Sequence, residues 1–379
     1  MTNKSEHQNQ ANHFLSRQAR LGRLIQEAKL NALVLNPGPS LVYLTGLHFH
    51  LSERPVVAIF TPDSPLRLVT PRLEIAKTID LPYQTRVFLY GEDPAGWPAV
   101  FQEAAQSANL HATVGVEPTR MRFLETRLLE DAAPQASYES AEDLLAQLRM
   151  SKDAFELDCM RKAVDIAQRA LLSVLPKIRI GMTELQLAAE LTLELFRAGS
   201  DVEIPFSPIV SGGLNSANPH ASPSDRPLST GDLLVIDWGA VYQGYFSDLT
   251  RTFAIRTVSK EFIQIADIVH RANAAGRMAC RPQATAESVD SAARSVIQEA
   301  GYSEYFTHRT GHGLGMEGHE APYIRAGNKL MLEPGMTFTV EPGIYLPDRG
   351  GVRIEDNVAI TQDGVECLSD LPRDLIAVG

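Results

Sequence analysis

Five residues of this 379-residue chain have types and spacing suited to holding metal ions: Asp237, Asp248, His312, Glu341 and Glu355. The first two lie in residues 233–253, LLVIDWGAVYQGYFSDLTRTF, where two apolar-rich runs flank a centre carrying Gly239 and Gly244. Such a pattern is that of a β-hairpin with a short turn. The midpoint of the two aspartates falls between Tyr242 and Gln243, so a symmetric hairpin sets them opposite one another, Cβ atoms roughly 4.5–5.5 Å apart. Two ionised carboxylates that close in apolar surroundings repel unless a proton or a cation lies between them. A divalent metal is the natural cation. Taken by itself, the stretch also fits a hairpin at a sheet edge with one solvent-facing aspartate on each strand.

Three further segments complete the set. Residues 308–315, HRTGHGLG, form a glycine-rich loop with His308 and His312 four apart; alone, Gly-His-Gly is as readily a plain turn. Residues 337–343, TFTVEPG, read as a strand ending on Glu341 at a Pro-Gly turn. Residues 351–356, GVRIED, read as a strand that puts Arg353 and Glu355 on one face, because strand side chains alternate. Glu341 and Glu355 are symmetric about Asp348, which predicts a second hairpin with the two glutamates facing each other. Four carboxylates and an imidazole beside buried strands are costly unless cations pair with them. Oxygen-rich ligation with one histidine favours hard or borderline divalent ions such as Mn²⁺ over thiolate-bound metals. Five side chains exceed what one catalytic ion usually takes, so carboxylates shared between two ions are the simplest arrangement. Two ions about 3.5–4 Å apart can hold a hydroxide between them and clamp a tetrahedral intermediate.

The elements that must position these groups follow from the rest of the chain. Its length exceeds what one compact domain usually holds, so two domains are expected. A composition of 44% hydrophobic and 21% charged residues is that of an ordinary globular protein. The formal net charge of −11 argues against nucleic acid or an anionic membrane as partner. Cys159, Cys280 and Cys367 are far apart and form no CxxC pair, which points to neither a disulfide framework nor a thiolate zinc site. No apolar run approaches the ~18–20 residues that span a bilayer. The polar start MTNKSEHQNQANH lacks the apolar core of a secretory signal, so a cytoplasmic location is expected.

Residues 1–12 read as a disordered tail. Residues 13–150 alternate short apolar runs (32–35, 55–60, 66–69, 87–90, 113–116) with helical patterns (14–30, 97–108, 119–129), which makes an α/β domain. Residues 36–39, Asn-Pro-Gly-Pro, read as a turn, and residues 137–150 as a long helical pattern. A helix opens after Ser151 or Asp153, and further helices are predicted over 183–198, 260–280 and 285–300 among strand-like runs. Residues 151–379 therefore form an α+β domain around the hairpin.

The order Asp237, Asp248, His312, Glu341, Glu355, in the contexts IDWGAVYQGYFSD, GHGLG, VEPGIY and RIED, resembles the pita-bread metallopeptidases, in the branch of prolidases (Xaa-Pro dipeptidases) and aminopeptidases P. The N-terminal part, including Tyr43-Leu-Thr-Gly46, is similar to the smaller creatinase-type domain of that branch. The resemblance implies a pita-bread catalytic domain and a homodimer acting on peptides. It implies two divalent ions per subunit, Mn²⁺ first with Co²⁺ or Zn²⁺ as alternatives. Asp237 and Asp248 would bind one ion, with Asp248, His312, Glu341 and Glu355 completing the other and the bridges. A metal-bridging hydroxide would attack the scissile carbonyl, with Glu341 as general base. By the same resemblance His220 and His319 contact substrate, His308 lines the pocket, and Arg353 orients Glu355.

Substrate choice is less settled by the motifs. Many prolidases carry an arginine four residues after the position of His319; here Tyr323 stands there, and a phenol cannot make a bidentate charge pair with a carboxylate. Longer X-Pro peptides, or trimming at the other peptide end, stay open. In this branch the loop after residues 43–46 often reaches a partner subunit's active site, so His48 is a candidate substrate contact, with Phe49, His50 and Arg54 beside it. A non-catalytic peptide-binding module and a metal-free amidinohydrolase of the creatinase type are the competing classes; the intact ligand set speaks against both.

Overall fold

The structure, a computed structural model, describes residues 2–62 and 64–379, with only the backbone given for residues 2–12. The disordered tail expected over residues 1–12 lies outside the residues described in full. Two compact units result, Met1–Leu148 and Arg149–Gly379.

The N-terminal unit is built on a six-stranded sheet. In chain order its elements are α1 (Thr2–Glu27), β1 (Ala32–Leu35), α2 (Pro39–Thr45), β2 (Val57–Phe60), β3 (Leu66–Pro71), β4 (Thr85–Tyr90), α3 (Trp97–Ala108), β5 (Thr113–Val116), α4 (Phe123–Ala132), β6 (Ser137–Ser140) and α5 (Glu142–Arg149). The strand order is β4-β3-β2-β1-β5-β6, with β2 antiparallel to both its neighbours and the other pairs parallel. Strands β1 and β2 are buried throughout, as strands covered on both faces must be. Phe101, Ala104 and Ala105 of α3 and Leu129 of α4 pack onto Val34, Ile59 and Val69 of the sheet. Two segments differ from their sequence reading. Residues 36–39 do not simply turn: Pro39 opens α2 at its first position, where its missing N–H costs nothing. Residues 137–140 are not helical but form β6, a polar edge strand (SYES) whose solvent exposure leaves it no apolar period to read.

The C-terminal unit opens with α6 (Ala154–Val174), whose N-terminus is closed by a capping box between Asp153 and Glu156. Then come α7 (Glu184–Ala198), β7 (Ile209–Gly212), β8 (Leu233–Trp238), β9 (Val241–Tyr242), β10 (Tyr245–Phe246), β11 (Leu249–Ile255), α8 (Lys260–Ala279) and α9 (Ala286–Glu299). The remaining strands are β12 (Gly311–Gly313), β13 (Glu320–Ile324), β14 (Thr337–Val340), β15 (Gly343–Leu346), β16 (Gly350–Arg353), β17 (Asp356–Ile360), β18 (Val365–Cys367) and β19 (Ile376–Val378). They make one sheet ordered β19-β11-β8-β7 and another ordered β13-β12-β14-β17-β18, with β9–β10 and β15–β16 as two-stranded ribbons.

Helices α6 and α7 cover the first sheet through Val164, Ala167, Leu171, Leu187, Leu191 and Leu195 against Val210, Ile236 and Trp238. The Trp238 indole N–H donates to the Ala167 carbonyl, 2.8 Å, so the largest side chain of that core also satisfies its one polar atom. Helix α8 packs on Leu233, Ile344 and Val352, and Val289 of α9 joins Phe338 and Val358 of the second sheet. Both sheets thus have helices behind them, an α+β architecture. Among the described residues no helix is long and apolar enough to cross a membrane.

Candidate metal centre

Strand β8 delivers Asp237, and its partner β11 begins one residue after Asp248. The register pairs Asp237 with Thr250, not with Asp248 as the symmetric hairpin predicts. The reason is the turn: Gln243 and Gly244 both take left-handed backbone angles, φ 50° and 78°. A two-residue turn of that kind fixes the dyad between those residues, one position beyond the midpoint of the aspartates. Asp248 therefore lies two positions from Asp237's cross-strand partner, on the same face and diagonal to Asp237. Asn357 holds its backbone, accepting from Asp248 N at 3.0 Å and donating to the Asp248 carbonyl.

The second pair has the expected symmetry. The ladders β14–β17 and β15–β16 share one register, Val340 with Asp356 and Gly343 with Arg353, which sets Glu341 opposite Glu355 in the step between them. Thr250 ties the two hairpins together: its carbonyl accepts from Glu355 N, and its hydroxyl donates to Glu355 Oε2 at 2.6 Å. His312 sits on β12, between β13 and β14, rather than in a turn. Its flanking glycines serve close packing: a Cβ on Gly311 would lie 1.8 Å from the Thr339 carbonyl oxygen, and one on Gly313 would lie 2.1 Å from that of Ala321.

These placements bring the five residues together. Ligand atoms of Asp237, Asp248 and Glu355 lie within 4.8 Å of one another, as do those of His312, Glu341 and Glu355. His312 Nε2 is 3.6 Å from Asp248 Oδ2 and 3.3 Å from Glu341 Oε1. Burial, and then the neighbouring Glu355 and Asp237 charges, push the Asp248 carboxyl well above its usual range. Glu355 is raised likewise by burial and by Glu341. Burial lifts Glu341 to about 7 and pushes the His312 imidazole well below its usual value. Asp237 Oδ1 is buried with no hydrogen-bonding partner among the described residues. An orphaned carboxylate oxygen inside a set of mutually repelling oxygens, with one neutral imidazole, is the donor set a hard divalent cation satisfies. The two triads overlap at Glu355.

Around them, Arg353 departs from its expected partner. Its Nη2 donates to Asp237 Oδ2 at 2.5 Å, and it reaches Glu355 only through the Thr250 hydroxyl, 3.1 Å from Nε. Nη1 donates to Tyr345 Oη (3.0 Å) and to the Pro219 carbonyl (3.2 Å), the residue before exposed His220. Tyr345 Oη is also 2.9 Å from His308 Nε2, and burial lowers that histidine to about 4. The exposed His319 packs against His312, ring centroids 3.8 Å apart, and Arg309 Nη2 lies 3.1 Å from its Nδ1. The Arg309 guanidinium lies over the Tyr323 ring, 4.5 Å from its centroid. His48 belongs to the N-terminal unit, where its carbonyl accepts from Lys77 Nζ at 2.9 Å. Sequence reasoning missed Thr250, Asn357, Tyr345 and Arg309. Thr250, Tyr345 and Arg309 stood inside quoted motifs, but their contacts are made with residues distant in the chain, which the motifs do not show.

Two family models match the chain. Residues 158–362 match the model of metallopeptidase family M24, and residues 17–151 match the creatinase/prolidase N-terminal domain. The probable dipeptidase PepE of Mycobacterium tuberculosis is 39% identical over 93% of this chain and 93% of its own length. An Xaa-Pro dipeptidase of Pyrococcus furiosus is 36% identical over 73% of this chain and 79% of its own. Among solved structures, dipeptidase PepE of Mycobacterium ulcerans superposes with a TM-score of 0.89 at 37% identity, covering 97% of this chain and 98% of the other.

Proposed function

The chain belongs to metallopeptidase family M24, and from that premise we propose that it is a dinuclear exopeptidase hydrolysing Xaa-Pro bonds of short peptides. The observation that carries this reading is the pair of overlapping buried triads, complete in all five positions, in a chain whose relatives include Xaa-Pro dipeptidases. Asp237 and Asp248 would hold the first ion, and His312 and Glu341 the second, with Asp248 and Glu355 able to serve both. Mn²⁺ suits the oxygen-rich set, with Co²⁺ and Zn²⁺ as alternatives.

Bound metal supplies a Lewis acid for the scissile carbonyl and lowers the pKa of the attacking water. Glu341 is placed beside the cluster to take that water's proton as general base. Its orientation comes from the Thr339 hydroxyl, 3.2 Å from Oε1. Arg353 fixes Asp237 and, through Pro219, the segment that presents His220 to substrate. His308 and His319 border the same cluster, neutral in this surrounding because burial lowers both. The reading includes a homodimer. It also includes a reducing, cytoplasmic location, in which Cys280 and Cys367 would stay as thiols.

A peptide panel tests it: Mn²⁺-loaded protein against Xaa-Pro dipeptides, longer Xaa-Pro peptides and proline-free peptides, products read by mass spectrometry beside a chelated control. Release of the residue before proline, lost on chelation and regained with metal, is expected. Cleavage of proline-free peptides alone, or activity that survives chelation, would overturn the reading.

A further inference from the structure

We propose that Arg309 is the residue that receives the C-terminal carboxylate of the substrate, held ready by Tyr323 and His319. This rests on the exopeptidase reading above and adds the identity of the peptide end that the site grips and the residue that grips it.

Arg309 is unusual among the arginines of the site. Arg353 faces Asp237, Arg294 faces Asp290 and Arg251 faces Asp356. Arg309 has no carboxylate within ion-pair distance among the described residues. Of its five N–H donors, the structure engages one nitrogen, with His319 Nδ1 at 3.1 Å. The planar face lies over Tyr323, 4.5 Å from the ring centroid, a stacking that fixes the guanidinium's tilt while leaving its other donors free. The backbone on either side is anchored from α9. Arg294 Nη2 donates to the His308 carbonyl at 2.9 Å, and Asp290 Oδ1 accepts from the Thr310 hydroxyl at 2.7 Å. A cation on a clamped segment, with a stacked plane and, among the described residues, no carboxylate within ion-pair distance, is prepared for an anion from outside the chain.

Position and sign identify that anion. A ring nitrogen of His319 lies within 4.8 Å of ligand atoms of Asp248 and His312, so a single imidazole separates the guanidinium from the metal-binding cluster. A dipeptide spans that distance, its terminal carboxylate lying about 3.3–3.6 Å of extended chain per residue beyond the scissile carbonyl. The peptide's ammonium end is repelled by Arg309 and attracted by the cluster's carboxylates. The carboxylate end is drawn the opposite way. A guanidinium binds a carboxylate through two parallel N–H···O bonds, which a phenol cannot do. The cation that position 323 lacks is thus supplied from position 309, with Tyr323 as its support.

The competing role for Arg309 is structural: donating to His319 Nδ1 keeps that ring's proton on Nε2. The two are separated by comparing each Xaa-Pro dipeptide as the free acid and as the C-terminal amide, using Mn²⁺-loaded protein. For the unaltered protein, kcat/KM is expected to favour the acid at least tenfold. In Arg309→Met this ratio should collapse toward one, with the acid's loss chiefly in KM, and Arg309→Lys should restore part of it. A variant that slows acid and amide alike, ratio preserved, would overturn the proposal in favour of the structural role. Equal use of acid and amide by the unaltered protein would also overturn it while leaving the Xaa-Pro reading intact. Calorimetric binding of L-proline against L-prolinamide gives the same comparison without turnover. It decides the carboxylate question even if no Xaa-Pro peptide is cleaved, a result that would remove the functional reading itself. Loss of the proline preference in Arg309→Met supports the proposal; no preference in the unaltered protein refutes it.

Discussion

Asp237 illustrates how much of the centre's chemistry is held by residues that touch no ion. One of its oxygens is bonded to Arg353 and the other is buried and orphaned, so the guanidinium decides which oxygen faces the cluster. Arg353→Met should leave that carboxylate turning freely and uncompensated. Metal affinity should fall by about 10–100-fold, the usual cost of losing an outer partner of a ligand, as read by competition with a chromophoric chelator; an unchanged affinity would remove Arg353 from this role. The carboxylates also predict a pH effect in the chelated protein. Glu341 ordinarily titrates near 4.5 but is raised by burial to about 7 when folded. Between those values the folded state holds a proton that the unfolded chain has lost, so stability falls as pH rises through that window. Asp248, raised by burial and by the Glu355 charge, and Glu355, raised by burial and by the Glu341 charge, shift in the same direction. Burial of His308 and His312 in neutral form works the opposite way up to about 6.5, so calorimetry at a series of pH values should show the chelated protein's unfolding temperature dropping as pH rises above about 6.5, and saturating Mn²⁺ should abolish the drop.

At the scale of elements, what could be read from sequence depended on whether local chemistry decided the structure. The hairpin carrying Glu341 and Glu355 was legible because its symmetry about Asp348 survives in the ladders. The one carrying Asp237 and Asp248 was legible as a hairpin but not in register, since the turn at Gln243–Gly244 outranked the symmetry of the acids. Gly-His-Gly looked like a turn because glycine's closeness to Thr339 and Ala321 is a fact of packing, invisible along the chain. Long-range anchors were equally hidden. Glu184, in the first turn of α7, is fully buried. It accepts from Gly212 N, Asn215 Nδ2, Ser224 N and the Ser224 hydroxyl at 2.6–3.0 Å. Those residues bracket the segment that carries His220. Glu184→Ala would strand the buried Gly212 N–H and release the part-buried Asn215 and Ser224 donors to solvent; with about 1–3 kcal/mol for a buried donor left unpaired, a loss of that size is expected by chemical denaturation. Hydrogen exchange should accelerate over residues 212–226, and KM should rise more than kcat falls. A stability loss without faster exchange there would mean that Glu184 serves α7 alone.

Across the molecule, the proposed ligands are divided between two sheets. Asp237 comes from the sheet of β7, β8, β11 and β19, with Asp248 at its rim, whereas His312 and Glu341 come from the strands of the other, with Glu355 joining β16 to β17. Without a cation, buried like charges at the junction push the sheets apart; Thr250, Arg251 and Asn357 hold them through bonds to Glu355, Asp356 and Asp248. Metal bound by the proposed ligands would add links of opposite sign across the same seam and act there as a structural clamp. A ligand present at 100 times its dissociation constant stabilises the folded state by about 2.7 kcal/mol. That gain should appear as slower hydrogen exchange where the clamp acts: β8, β11, β12, β14 and β17. Strands β1 to β6 belong to the other compact unit and hold none of the ligands, so their exchange should not change when Mn²⁺ is added to chelated protein. Protection confined to the sheet that bears Asp237 would mean a single ion bound by the two aspartates. Protection on both sheets, rising in two steps with metal concentration, is the result that two ions sharing Asp248 and Glu355 require.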